Sequence, residues 1–337
     1  MDEYVLCEPV GTSQVDPTIV VSELERRMFL GGAGIVAGHC AGLGADTTLV
    51  TLLGSDEGYG RALSLLNAAS VTPVAITDRH RPTTRKRRYR AQDKTLLRIN
   101  RLSLTGPDSV VTERIRKAVM AEVLRKPQPD LVLFADFNYG AISQSLVDEV
   151  AIECRQTGIM MAADNQASSD TCDICRFRGM SLVTPTEREA RLSLRDPLSS
   201  SADMAARMRA DGVAANVAVT LGPYGLVVAT AGGLITMPAL SHTPVDPVGA
   251  GDALFATTSM ALRLDYSIEQ AIWLGSVAAA VQVGRVGNLP ISFAQLLDFI
   301  AAHCQKIMSH GSIPGVDNLV VHSEHENVVE MSAHKTA

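Results

Sequence analysis

Aromatic side chains are scarce in this chain. Phe, Tyr and Trp make up 4% of it, and Trp273 is the one tryptophan. Modules that bind single-stranded nucleic acid stack successive bases on such rings, so no platform of that kind is expected. Basic charge is also short: 30 Lys and Arg stand against 36 Asp and Glu, a net charge of -6. General affinity for a polyanion rests on many Lys and Arg contacts, and no nucleic-acid partner is expected. No apolar run approaches the roughly 20 residues a membrane-spanning helix needs, so no membrane partner is expected either. The opening "MDEYVLCEP" has neither the basic start nor the apolar core of a secretory leader, and the expected location is cytoplasmic. The six cysteines are scattered, which suits reduced thiols better than a disulfide framework. Cys172 and Cys175 form a single C-x-x-C; with no second pair nearby they read as ordinary thiols rather than a zinc or redox site.

What is present in quantity is short apolar runs alternating with helical patterns. Residues 47–54, 130–136, 158–164, 180–185 and 216–222 read as strands buried on both faces. Residues 109–126 and 143–158 read as helices, the second with Leu146, Val147, Val150 and Ile152 toward one face and Gly158 as its stop. The alternation predicts an α/β fold: a doubly wound, mostly parallel sheet flanked by helices, with sites at the carboxyl ends of the strands. Two stretches depart from it. Residues 17–30 and 83–100 look like exposed strands of a small β lid, with segments of about 8–30 and 83–102. One domain is expected over 1–310, and 311–337 reads as a polar, poorly ordered tail.

The chemistry concentrates in "DPVGAGD", residues 246–252, just ahead of an apolar helix. Backbone N–H groups at a glycine-rich turn that opens a helix make an anion site. Gly249, Ala250 and Gly251 would form it, and Asp252 would begin the helix. There the helix dipole and N–H bonds are expected to keep its carboxylate ionised. An ionised acid beside an anion hole suits phosphoryl transfer to a hydroxyl, the acid taking the proton and the amides stabilising the moving group. A plain turn with Asp252 as a helix cap is the competing reading. No Walker loop and no G-x-G-x-x-G is present. A second glycine element, Gly31-Gly32, opens the next helical stretch.

Together the two elements resemble the paired signatures of the ribokinase-like (PfkB) carbohydrate kinases. Within them, "TTRKRRYRAQDKTLLRIN", "FADFNYG", "FRGMSLVTPTEREA" and "AAAVQVGRVGNLPIS" are similar to the heptose-7-phosphate kinase domain of ADP-heptose synthesis enzymes. The resemblance implies an ATP- and Mg²⁺-dependent kinase acting on a phosphorylated sugar, heptose 7-phosphate giving the 1,7-bisphosphate. It implies Asp252 as base with Gly249, Ala250 and Gly251 as the anion hole. Asp2, Gly31, Gly32, Lys86, Arg88, Arg98 and Asp136 would be sugar positions. Asp164, Thr186, Thr220, Gly222 and Ser276 would be nucleotide positions, and Glu189 would organise Mg²⁺ through water. It also implies a monovalent cation near Asp246, a homodimer through the lid, and a core strand ahead of Asp2 that this sequence lacks.

The basic run 79–90 supplies the charge for an anionic sugar. In a strand, Lys86, Arg88 and Arg90 share one face and Arg85 and Arg87 the other; a solvated or edge-protecting basic strand is the plainer reading. Several positions depart from the family pattern: Ile35 and Thr186 stand for Asn, Pro247 for Thr, Tyr139 for Lys, and "NQASSDTCD" follows Asp164 in altered form. Two other readings stay open at this level, a kinase of another sugar, nucleoside or polyol, and a degenerate protein that only holds nucleotide.

Overall fold

A computed structural model describes residues 1–13, 15–92, 94–167, 172–241, 244–310 and 321–322. The chain opens on β1 (Asp2–Thr12) and β2 (Ile19–Phe29), then α1 (Ala33–Gly42), β3 (Thr47–Gly54), α2 (Glu57–Ala68) and β4 (Val71–Asp78). β5 (Arg85–Ala91) and β6 (Lys94–Arg101) follow, then α3 (Ser109–Val123), β7 (Leu131–Asp136), α4 (Gln144–Thr157) and β8 (Met160–Asn165). Next come β9 (Met180–Val183), α5 (Glu187–Leu194), α6 (Ser201–Ala210), β10 (Ala214–Thr220), β11 (Leu226–Thr230) and β12 (Gly233–Met237). The last elements are α7 (Ala250–Arg263), α8 (Ile268–Val283), α9 (Phe293–His310) and β13 (Val321–His322).

The largest sheet runs β13-β12-β11-β10-β9-β8-β7. It is parallel from β7 to β10 and antiparallel beyond, because β10, β11 and β12 follow one another through short turns. The expectation of a mostly parallel sheet therefore holds for its central strands. Val183, Val217 and Val219 of those strands are fully buried, as two helical layers require. In α4, Leu146, Val147 and Val150 face the core with Ala151 and Cys154, whereas Ile152 is half exposed and lies off that stripe. Ser143 caps the start of α4 and Gly158 ends it in the left-handed region.

β3 and β4 pair only with each other, in parallel. Among the described residues no strand joins β3 to β7, the place where a core strand ahead of Asp2 is expected. The two sheets are held instead by shared side-chain packing: Val50 and Leu52 of β3 and Ile76 of β4 join one apolar cluster with Phe134 of β7. The same helix, α1, contacts β3, β4 and β7.

The lid is a four-stranded sheet, β2-β1-β5-β6. It begins at Asp2 rather than near residue 8, and the first half of β1 is buried where the lid meets the core. β1 and β5 pair in parallel with Asp2 opposite Lys86, Tyr4 opposite Arg88 and Leu6 opposite Arg90. Of the expected tail, Val321–His322 pairs with β12; 311–320 and 323–337 lie outside the described residues.

Candidate active site

The site is built where α7 begins. Helix α7 starts at Ala250, with Gly249 as its cap in the left-handed region at φ 82°. A Cβ on Gly249 would lie 2.3 Å from Asn288 Oδ1, so this position needs glycine for both space and backbone. An α-helix gives its first-turn N–H groups no intrahelical acceptor; that of Ala250 reaches back to the Pro247 carbonyl at 3.5 Å, and open space lies beside Gly251. Asp252 is thus the third helical residue and not the first.

Its carboxylate is also not in the state expected from the dipole. Asp252 is buried, and burial pushes it up to about 7. The charges of Asp2 and Glu189 add to that rise, while Lys86 and a 3.1 Å hydrogen bond from Gln166 Nε2 oppose it. Desolvation outweighs the local amides because the surrounding acids share one buried space. A carboxylate so tuned is a competent general base near neutral pH.

Gln166 reaches Asp252 from the end of β8. Its backbone N–H bonds the Asp136 carbonyl and its own carbonyl accepts from Asn138 Nδ2. The expected sugar residue Asp136 lines the cleft, yet its carboxylate is engaged by Asn165 and Arg176, both at 2.7 Å, and by the Asn138 N–H. It braces the turn that carries Gln166.

The sugar-side residues do converge. Asp2, Gly31, Gly32, Lys86, Phe137 and Tyr139 line one cavity of about 180 Å³. Asp2 accepts from Arg88 and from Asn288 Nδ2, each at 2.7 Å, and its carboxylate lies so close over Gly31 that a Cβ there would be 2.6 Å from it. The Lys86 ammonium sits over the rings of Phe137 and Tyr139, at 5.2 and 5.7 Å. Within β5 the other cations are paired: Arg85 and Arg87 with buried Glu3, Arg88 with Asp2 and Arg90 with Asp246. Arg81, ahead of the strand, lines the same cavity and donates to the carbonyls of Ser103, Thr105 and Tyr139. Of the five β5 cations, only Lys86 is in no ion pair among the described residues. Arg98 lies opposite Arg88 on β6 but is exposed.

On the other flank, Thr186 and Glu189 form a capping box at the start of α5. Glu189 Oε2 accepts from the Thr186 N–H and hydroxyl, and Oε1 from the Ala167 N–H, all at 2.8 Å. Asp164, beside them, accepts from Thr184 Oγ1. Burial first, then the charges of Glu189 and Asp252, hold its carboxyl well above the usual range. Thr186 and Thr220 are joined by a parallel bridge, and Gly222 opens a short turn at φ 60° with open space beside it. Ser276 is not brought to this opening: it is buried in α8, with its hydroxyl on the Ile272 carbonyl. The thiols of Cys172 and Cys175 are pushed up to about 12 and about 11 by burial, and among the described residues no group of three or more His, Cys, Asp or Glu side chains is placed to hold a metal by itself.

Sequence reasoning missed Gln166, Asn288 and Tyr4. Gln166 lies in the altered "NQASSDTCD", and that alteration was the one available signal. Tyr4 is fully buried with its hydroxyl on Asp246 Oδ2 at 2.8 Å; nothing local marks it.

Residues 10–291 match the family model described as pfkB family carbohydrate kinase. The bifunctional protein HldE of Rhodopseudomonas palustris (strain HaA2) is 28% identical over 95% of this chain, and that of Nitrobacter hamburgensis is 30% identical over 88%. The chain spans 64% and 60% of their respective lengths. Among solved structures, phosphofructokinase-2 from Escherichia coli in complex with substrates and products superimposes with a TM-score of 0.72 at 16% identity, covering 89% of this chain and 95% of that one. The same enzyme in complex with potassium gives 0.70, also at 16% identity with 89% and 95% covered. Ribokinase from Thermotoga maritima gives 0.67 at 19% identity, covering 89% and 96%. These likenesses show a ribokinase-like fold.

Proposed function

The chain belongs to the pfkB family of carbohydrate kinases, and from that premise we propose that it transfers the γ-phosphate of ATP to a hydroxyl of a phosphorylated sugar, with heptose 7-phosphate the favoured acceptor and a 1,7-bisphosphate the product. The observation that carries the reading is the pairing of a base tuned to about 7, Asp252, with the open first turn of α7. Asp252 takes the hydroxyl proton as that oxygen attacks, and the amides of Gly249–Gly251 stabilise charge on the transferred group. Asp2 orients sugar hydroxyls, and Lys86, held over Phe137 and Tyr139, meets the anionic end.

Asp164 and Glu189 suit Mg²⁺: Asp164 is buried and raised partly by its neighbour's charge, a strain that a cation relieves. Glu189, with both oxygens already accepting donors, would act through water. When bound, Mg²⁺ neutralises charge on the ATP phosphates. Thr220 and Gly222 would flank the nucleotide. The HldE relatives favour heptose over other sugars, and Lys86 favours an anion over a free sugar. The lid provides an edge strand, β6, for a homodimer. Among the described residues no helix is long and apolar enough to cross a membrane, in keeping with a cytoplasmic enzyme.

A panel of free and phosphorylated sugars with MgATP, read by coupled ADP release, tests the substrate. Lys86→Met should raise KM for the sugar phosphate at least about tenfold, the worth of one charge-assisted bond, with a smaller effect on kcat. Turnover confined to unphosphorylated sugars, with Lys86→Met unchanged, would remove the anionic substrate and leave the kinase.

A further inference from the structure

We propose that Arg90 is a built-in cation for the anion loop, standing against Asp246 where a monovalent cation would sit, so that the enzyme works without added K⁺ or Na⁺. The inference rests on the kinase reading but not on which sugar is used. Asp246 heads the loop that ends in Gly249 and is 3% exposed. Its Oδ2 accepts from Tyr4 at 2.8 Å, from the Arg90 guanidinium at 3.1 Å and from the Gly287 N–H at 3.1 Å. Its Oδ1 accepts from the Val248 N–H at 3.2 Å. Four donors fill the carboxylate.

The neighbouring loop carbonyls are engaged as well. Gln282 Nε2 donates to Val248 O at 3.1 Å and to Gly287 O at 3.0 Å, and Val283 O accepts from the N–H groups of Val245 and Asp246. A bare alkali ion needs several oxygen lone pairs converging on it. Here each of those oxygens already faces a nitrogen donor, and the incoming ion would lie beside a buried guanidinium of like charge. Among the described residues, Asn288 Oδ1, beside Gly249, is the buried oxygen here without a donor, and one free oxygen does not make the donor set of a monovalent cation.

Arg90 is itself a costly choice that local packing explains only in part. Its side chain is 7% exposed, its Nε has no partner, and its guanidinium lies 5.3 Å from the centre of the Tyr4 ring. One carboxylate neutralises it, and that carboxylate sits at the base of the anion loop. Because Arg90 is on β5, two residues beyond Arg88 and four beyond Lys86, the lid strand that lines the sugar side is tied directly to the loop that receives the phosphoryl group. Arg90 acts through Asp246 and is a positioning residue.

The test compares KCl with tetramethylammonium chloride at equal ionic strength, reading ADP release with an accepted sugar and, separately, MgATP binding by calorimetry. Wild type should differ less than about twofold between the salts, and Arg90→Lys should behave likewise. Arg90→Met should lose at least about tenfold in tetramethylammonium, the worth of a hydrogen bond to a charged group, and recover with K⁺ or with guanidinium ion. A wild type strongly activated by K⁺ would overturn the proposal, as would an Arg90→Met enzyme indifferent to every cation. If Arg90→Met does not fold, the wild-type and Arg90→Lys salt responses decide. If no sugar is phosphorylated, the kinase reading fails, while the salt dependence of MgATP binding still reports on Arg90.

Discussion

At the scale of single residues, the identity of the base and its protonation have different origins. Asp252 is recognisable from "GAGD" because the chemistry of an anion turn is local. Its ionisation is not, because burial and the charges of Asp2 and Glu189 arrive from residues distant in sequence. Asp252 therefore binds a proton more tightly folded than unfolded. Between the ordinary aspartate range and about pH 7, the folded state holds the extra proton, so stability from this group falls as pH rises through that window. Asp252→Asn should thus raise Tm at pH 8 and leave it nearly unchanged at pH 4, as read by thermal unfolding. A variant destabilised equally at both values would mean that the carboxylate is paired and not strained. Ser276 and Arg98 show the limit of carrying roles over by position: one hydroxyl turns into its own helix and one guanidinium stands in solvent.

At the scale of elements, the strands and helices with a clear period or cap were legible, and those defined by pairing were not. β3, β7, β8, β9 and β10 lie where apolar runs mark them, and α4 begins at Ser143 and ends at Gly158 as its caps dictate. Ile152 misleads because an apolar side chain at a surface position costs little. The entry of β1 into the lid depends on β5, a partner that no window of sequence contains, whereas the β11–β12 hairpin is local, closed between Thr230 and Gly233. The start of α7 is the element with most consequence. Gly249→Ala should lower both Tm and kcat, the latter by about 10² or more, because the methyl meets Asn288 Oδ1 and the positive φ is strained. Steady-state kinetics with a parallel melt would read both; a normal kcat would mean that the turn does not shape the anion hole.

At the scale of the whole molecule, the site is assembled by the lid closing on two sheets that do not pair with each other. β1 brings Asp2, β5 brings Lys86, Arg88 and Arg90, and the core brings Asp252 and Asp246. The basic strand looked like an open phosphate patch in sequence. In the fold, most of its charge is paired with Glu3, Asp2 and Asp246, acids that lie far from it along the chain. What remains on that strand for an anionic substrate is Lys86, which lines the cavity with Arg81 and whose charge acts on the Asp252 carboxyl. The central claim is that Asp252 takes the proton from a sugar hydroxyl. It is tested most directly by the pH dependence of kcat/KM for ADP release from MgATP with a sugar phosphate, for wild type and Asp252→Asn. The account predicts a wild-type rate that rises with pH to a plateau above about 7 and a loss of about 10²–10⁴ in Asp252→Asn. A variant that releases ADP as fast as wild type, with the same pH profile, would contradict it.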